Sequence, residues 1–485
     1  MTENGKTGER ARPRHVVVVG AGIAGLSAAW RLRVELGPDA RITVCDAASV
    51  PGGKIRTVSL AGRRFDVGAE AVLARRPEAV GLMREVGLGD RMVHPTSASG
   101  SVRALGRTLP LPKGTMMGIP ASADAVADLL TPEGVRAVAE EASAPPLRLP
   151  EHDVSLGGLL RERFGDELVE RIVDPLLGGV YAGGADGLGL RATLPAVAAA
   201  VDAGASSLTE AVASTMPRKR TQDTEPAAPV FATLRGGLGD LVDRLVESSA
   251  ADLRLGQPVR ELHRRPGGGW RLRLGAAAEA HVPLDADLEA DAVVLAVPPP
   301  AASRLLASVA PEAAAAYGEM ELASMAVVAL ALPPGTELPP TSGVLIGERE
   351  LRSDGSRFTA KAFTFSARKW AHHGEEGGPL LVRGSVGRFG EARSLQVADD
   401  VLVTRVRSDL AELTGITAEP VDTYVMRWGG GLPQYGVGHA ERVARIERAV
   451  ARLDGLAVAG AALHGVGIPA CVATGTAAAL RVVGR

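Results

Sequence analysis

Three glycines spaced to hold a phosphate and a carboxylate placed to hold a sugar are the first groups in this chain with chemistry to offer. Gly20, Gly22 and Gly25 follow the apolar run His15-Val16-Val17-Val18-Val19. A buried strand that turns on glycine straight into a helix presents free backbone N–H groups, and the positive end of a helix dipole, to a pyrophosphate. The spacing gives Gly20 the tight turn, Gly22 the close backbone approach and Gly25 the packing of helix on strand. A second strand, Arg41-Ile42-Thr43-Val44-Cys45, ends in Asp46, about 20 residues on, where a carboxylate can accept hydrogen bonds from a ribose. Strand, glycine turn, helix, strand and acid in this order predict a dinucleotide site with contacts from Gly20, Ala21, Gly22, Ile23, Ala24, Gly25, Asp46 and Ala47.

The next stretch, Pro51-Gly52-Gly53-Lys54-Ile55-Arg56-Thr57, points to flavin rather than nicotinamide. A second glycine pair beside a cation gives the longer FAD molecule another phosphate contact, so Gly53 and Lys54 join the candidates. Gly62 to Ala71 resembles the third FAD-contacting stretch of glutathione-reductase-like and amine-oxidase-like flavoproteins, which adds Gly68, Ala69, Glu70 and Ala71. Near the C-terminus a strand ends at Gly460 and a small-residue helix begins around Ile468, Pro469 and Ala470. Its N-terminus would stabilise the negative charge that a flavin gains on reduction. No Ser-His-Asp or Cys-His arrangement accompanies these signals, and His439 and His464, each flanked by glycine, read as structural hydrogen-bonders rather than bases.

The flavin signals lie far apart, which predicts a nucleotide domain interrupted by insertions. Strands are expected at Gln257–Leu262, Trp270–Leu274, Asp291–Val297, Met325–Ala331 and Leu380–Val386, and a helix at Gln396–Leu413. The fold class is therefore α/β with α+β parts: a discontinuous Rossmann-like FAD-binding domain over 14–75, 230–300 and 420–485, a substrate-binding domain over 76–110, 190–229 and 301–419, and a helical subdomain over 111–189. Residues 1–13 read as a solvated tail, and the polar run between Pro217 and Pro229, with Arg218, Lys219, Arg220 and Asp223, as an exposed loop.

A chain of 485 residues with 46% hydrophobic content can bury more than one core. A net charge of −2 excludes a broadly basic nucleic-acid binder. Cys45 and Cys471 form no disulfide framework and have no metal-ligand spacing, which fits a reducing cytoplasm; no metal is expected. No stretch approaches the ~20 uninterrupted apolar residues of a membrane span, so membrane contact would be peripheral at most. Only six of the 54 basic residues are lysines, a bias that suggests a high-GC bacterial genome.

Further stretches carry a more specific resemblance. Leu111-Pro112-Lys113-Gly114 with Met117-Gly118-Ile119-Pro120, Asp174 to Gly183, Arg427-Trp428 with Leu432 to His439, and Gly467-Ile468-Pro469 together resemble the HemY-type bacterial porphyrinogen oxidases, FAD enzymes of the amine-oxidase superfamily. The resemblance spans nearly the whole chain; Asp46 stands where Glu is more usual and preserves the ribose contact. It implies an oxygen-dependent FAD oxidoreductase acting on CH–CH groups: six-electron oxidation of a porphyrinogen by three hydride transfers to the flavin, each followed by reoxidation with O2 to hydrogen peroxide. It also implies adenine-side contact from the backbone of Val259, flavin contact from Trp428, and a downstream ferrochelatase as candidate partner.

Such chemistry asks the protein for a flat apolar slot and cations for propionates rather than for acids and bases. Arg75 and Arg76, just after the Gly68–Ala71 stretch, are the expected propionate receptors, since guanidinium forks suit carboxylates. The lysine-poor, non-spanning chain resembles the Gram-positive branch of this family, in which coproporphyrinogen is oxidised before iron insertion; the resemblance therefore implies coproporphyrinogen III in heme biosynthesis as the favoured substrate, with protoporphyrinogen IX as the alternative. An amine oxidase or carotenoid desaturase would share every FAD motif, although four tyrosines and four tryptophans leave few rings for an aromatic cage.

Overall fold

Residues buried on both faces read as near-continuous apolar runs, and the valines of the first strand become the centre of a parallel sheet. The computed structural model describes residues 14–216, 229–275, 287–375 and 377–484. The expected tail and the Arg218–Asp223 run lie outside them.

The first part of the chain gives β1 (His15–Val19), α1 (Ile23–Leu36), β2 (Arg41–Cys45), α2 (Pro77–Glu85), β3 (Gly100–Ala104), β4 (Arg107–Pro110) and α3 (Asp174–Tyr181). The middle gives β5 (Asp252–Arg254), β6 (Val259–Arg264), β7 (Ala292–Leu295), β8 (Leu322–Leu332) and β9 (Gly343–Ile346). The remainder gives β10 (Ala360–Phe365), β11 (Leu380–Val386), α4 (Asp399–Thr414), β12 (Asp422–Pro433), β13 (Leu456–Val458) and α5 (Ile468–Val483).

Five strands form the nucleotide sheet in the order β5-β2-β1-β7-β13, all parallel. One face carries α1, α2 and α5 over a core containing Val16, Val18, Leu26 and Met83. The other face carries helices that supply Leu305, Leu306, Tyr317 and Ile446. Gly475 brings α5 onto α1 backbone to backbone, for a Cβ there would lie 2.1 Å from the Ala24 carbonyl oxygen.

The second sheet has seven strands in the order β12-β8-β11-β10-β9-β3-β4. It is antiparallel except where β9 runs parallel to β3. Alternation along its strands makes two faces. Val328, Val344, Phe363 and Val382 pack under Val406 and Leu410 of α4. The opposite face carries Val327, Ala329 and Leu381, which pack on Phe65 and Val67 of the third predicted flavin stretch. A helical layer with Leu160, Ile172 and Leu177 in its core completes the molecule.

The packing distributes three segments differently from the sequence-based domain boundaries. Helices within 190–215 bury Leu190, Val197, Leu208 and Val212 in the core of the helical layer, because their apolar faces meet Leu160 and Ile172. Helix α2 buries Ala79, Leu82 and Met83 in the nucleotide core. Strand β12, at the head of the expected third FAD segment, is an edge strand of the seven-stranded sheet.

Candidate active site

The glycine turn has the geometry its spacing predicts. Gly20 N–H donates to the Cys45 carbonyl at 2.7 Å, which ties the turn to β2. A Cβ on Gly25 would stand 1.8 Å from the Gly20 carbonyl oxygen, so α1 can start this close to β1 only on glycine. Asp46 accepts from Ala21 N–H at 2.6 Å and Ala48 N–H at 2.7 Å. Each carboxylate oxygen has a second lone pair, so acceptor capacity remains for a sugar. Asp46 N–H donates to Arg254 and its carbonyl accepts from Gln257 N–H, which sets the start of β6, with Val259, beside the acid.

The second glycine pair lies against the first. Gly22 and Gly52 form a parallel bridge, Gly52 N–H donates to Ala21 O at 2.8 Å, and a Cβ on Gly53 would approach the Gly22 Cα to 3.0 Å. Two glycine-rich backbones face one another with no side chain between them. Lys54 stands beyond, in space walled by protein yet open to solvent; the crowding lowers its ammonium pKa, and Cys471, in the first turn of α5, is the ionisable group it faces.

The third stretch closes on the second. Ala69 N–H donates to Lys54 O at 3.0 Å, and a Cβ on Gly68 would meet that same oxygen at 2.1 Å and the Trp428 ring at 3.2 Å. Trp428 Nε1 donates to Val67 O at 3.1 Å. Lys54 and Gly68, Trp428, and the start of α5 thus come together from three distant parts of the chain. At α5 the helix begins at Ile468, with Gly467 capping and Pro469 in the first turn, while Gly460 N–H donates to Thr474 Oγ1 at 3.1 Å. Cys471, in the first turn of α5, is the group that brings this helix start to Lys54.

Glu70 is the anchor of this region. Lys369 pairs with one of its oxygens and Arg383 with the other at 3.2 Å. Burial alone would raise its pKa, but the two cations outweigh it and hold Glu70 down at about 2. Arg383 also donates to Asp66 O at 3.2 Å and Gly68 O at 2.8 Å, so one guanidinium on β11 grips the backbone of the whole stretch. Asp66 is pushed up to about 6 by burial, against hydrogen bonds from Thr57 and from Leu238 N–H. Ala71 follows, half-buried, before the short strand Val72–Leu73.

Other candidates lie at the surface or are paired with neighbouring groups. Arg75 and Arg76 are both exposed ahead of α2, and Arg76 binds Glu78 with its closest contact at 2.6 Å. That pair is an ion pair at a helix start, with the guanidinium already occupied, not a free receptor within a slot. His439 is buried, stacks on Tyr435 at 3.8 Å and contacts Leu463 O at 3.1 Å. His464 pairs with Glu447 at 2.6 Å at the surface. Tyr435 hydroxyl donates to Ala461 O and accepts from Gly465 N–H, both at 2.7 Å, and so braces the loop ahead of α5. Lys369 and Arg383 carry no local sequence signature; only their positions on the seven-stranded sheet and the turn after β10 bring them to Glu70.

A family model described as "Flavin containing amine oxidoreductase" matches residues 23–483. The chain belongs to this family, and its cofactor is FAD. It is 42% identical over 459 residues to a coproporphyrinogen III oxidase of Mycobacterium leprae, covering 95% of this chain and 96% of that one. It is 41% identical over 471 residues to the Mycobacterium tuberculosis protein of the same name, covering 97% and 98%. A solved structure from Exiguobacterium sp. 255-15, provisionally named a protoporphyrinogen oxidase, superposes with a TM-score of 0.81 at 32% identity over 96% of this chain and 98% of that one. Among the described residues no helix is long and apolar enough to cross a membrane, and no cluster of His, Cys, Asp and Glu could hold a metal.

Proposed function

We propose that this protein oxidises coproporphyrinogen III to coproporphyrin III, with O2 as acceptor, in heme biosynthesis. The observation that carries the reading is 41–42% identity, over at least 95% of the chain, to proteins named for that activity. The overall balance is one porphyrinogen and three O2 to one porphyrin and three hydrogen peroxide.

The residues present fit FAD. The cradle of Gly20, Gly22 and Gly53 leaves room that a single Cβ would fill, and Asp46 stands where the adenosine ribose would lie. Lys54, Gly68, Ala69, Trp428 and the α5 start would hold the ring end. When bound, FAD supplies the hydride acceptor and passes the electrons on to O2.

The chain's own part is binding and orientation. Gly68 keeps the floor thin enough for Trp428 to approach, and Arg383 and Glu70 fix the 66–70 backbone against the large sheet. The α5 N–H groups offer a fixed positive end to charge that develops nearby. The face carrying Met325, Trp428 and Leu345 supplies an apolar wall for a flat substrate. A ferrochelatase receiving the porphyrin, and a cytoplasmic site of action, are part of the same proposal.

Anaerobic mixing of the purified yellow protein with coproporphyrinogen III and, separately, protoporphyrinogen IX tests it. Selective bleaching of the flavin by coproporphyrinogen III, with porphyrin fluorescence and peroxide on aeration, is the expected result. Faster bleaching by protoporphyrinogen IX, the reading favoured by the name of the Exiguobacterium structure, would replace the substrate assigned here. Bleaching by neither would overturn the proposal and redirect it to amines and carotenoids.

A further inference from the structure

Lys361 is 4% exposed, and its ammonium has no hydrogen-bond partner. A buried unpaired ammonium is costly unless it deprotonates or meets an anion. Its placement comes from an irregularity in the sheet. On β10, Ala360 pairs with Val386 and Ala362 with Ser385, so Lys361 is the extra residue of a β-bulge. Ala360 and Val386 belong to the core beneath α4. Ser385 pairs with Val327, whose side chain belongs to the opposite face, the one packed on the third flavin stretch. A bulge re-aims a side chain, and Lys361 is the residue at which the strand passes from the α4 face, at Ala360, to the second face, at Ala362.

The surroundings agree with this placement. The charged groups Lys361 faces are Arg388 and Glu391, and Arg388 in turn faces Asp174 at the start of α3, in the helical layer, along with Glu348, Arg357 and Glu391. Arg388 donates to the Ile346 carbonyl at 3.2 Å, and its like charge adds to the burial that disfavours the Lys361 ammonium. Burial, and then the nearby Arg388 cation, lower the Lys361 pKa to about 7, and Glu391, which contributes in the opposite sense, does not offset them.

The same face carries a row of paired residues across five strands. Trp428 pairs with Met325, Val327 with Ser385, Ser385 with Ala362, and Ala362 with Leu345. Met325, Trp428, Ser385, Ala362 and Leu345 all keep partial solvent access, whereas Val344, Phe363 and Val386 on the α4 face are sealed. Val327, within the row, and Lys361, at its end, are buried. Lys361 stands about 16 Å from Trp428 along this strip, from three strand spacings and a two-residue offset.

We propose that Lys361, with Arg388 behind it, binds a propionate carboxylate of the tetrapyrrole at the end of the slot remote from the flavin. This rests on the porphyrinogen reading above and assigns it a carboxylate receptor besides the exposed Arg75 and the Glu78-paired Arg76. A flat macrocycle lies along the strip with its reacting carbon at the Trp428 end and one carboxylate on the Lys361 ammonium. In a chain that uses lysine six times among 54 basic residues, Lys54, Lys361 and Lys369 all stand around this cleft.

The test compares the wild-type holoprotein with Lys361→Met and Lys361→Arg. Equilibrium binding of coproporphyrin III is read by fluorescence, together with KM and kcat for coproporphyrinogen III. Lys361→Met is expected to weaken binding and raise KM ~10- to 100-fold, the worth of a hydrogen bond to a charged group, with kcat and the flavin spectrum little changed. Lys361→Arg recovers part of the binding, and the melting temperature of Lys361→Met is equal to or above wild type because an unpaired buried charge is gone. Lys361→Gln, similar in length and polar, serves if the methionine variant misfolds. Active wild type with variants that bind coproporphyrin III equally well overturns this inference alone. A wild-type protein that neither binds nor oxidises a tetrapyrrole overturns it together with the proposed function.

Discussion

Arg383 reaches out of the seven-stranded sheet and donates to the carbonyl of Gly68 at 2.8 Å. The contact joins the sheet expected to wall the substrate to the loop expected to wall the flavin, and it does so through backbone, so the identity of residue 68 is set by space. Gly68→Ala would push a methyl into the Lys54 carbonyl at 2.1 Å and against Trp428. Relief by backbone movement costs about 1–3 kcal/mol. The expected outcome is a lower melting temperature and protein purified with less than half the flavin of wild type, read from its absorbance.

Glu70 gives a pH signature. Its folded pKa of about 2 lies below the ordinary glutamate value of 4.5, so its stabilisation is complete above about pH 4.5 and is lost as pH falls towards 2. The difference corresponds to about 3 kcal/mol. Asp66 acts in the opposite sense. Its folded pKa of about 6 is raised, so the folded state resists ionisation and stability falls as pH rises from about 4 to 6. Glu70→Gln should remove the acid-side loss and lower stability at neutral pH. Melting curves of variant and wild type between pH 3 and 8 check both slopes.

Asp46 holds the glycine turn as well as facing the nucleotide. Asp46→Ala removes acceptors from two backbone N–H groups and leaves no carboxylate for a sugar. FAD affinity is expected to fall ~10- to 100-fold, the worth of one charge-assisted hydrogen bond. Titration of the apoprotein with FAD, followed by flavin fluorescence quenching, measures it.

Arg76 is committed to Glu78 on an exposed helix start. Arg76→Ala should leave KM for both porphyrinogens unchanged and move stability by less than about 1 kcal/mol. A KM raised tenfold would return this residue to the substrate site.

What the sequence made legible was local. A strand followed by Gly20, Gly22 and Gly25, or Gly467 followed by Pro469, carries its conformation within a few residues, and β11 occupies the residues Leu380–Val386 read as a strand. What stayed hidden depends on long-range closure. Glu70 meets Lys369 across 299 positions, and neither residue announces the other. Arg75 and Arg76 looked available because their separation from the flavin stretch is short, yet the backbone turns at the start of α2 and carries them to the surface. Lys361 carries no signal in the sequence, because the register shift between Ala360 and Ala362 is invisible in composition. Strand β12 was assigned by its neighbours in sequence, whereas its hydrogen bonds to β8 place it in the other sheet.

The nucleotide sheet takes its five strands from residues 15–19, 41–45, 252–254, 292–295 and 456–458. During synthesis, β1 and its glycine turn emerge first and must wait for more than four hundred further residues before β13 and α5 complete the floor they share. Such distant pairings fold slowly and leave apolar edges exposed in the meantime. The nascent N-terminal half therefore cannot retain the cofactor tightly, and arrival of the last helix is the event that commits the chain. Shortages of flavin would then be felt at maturation, as a pool of nearly finished protein open to chaperones and proteases, before they were felt as slower turnover.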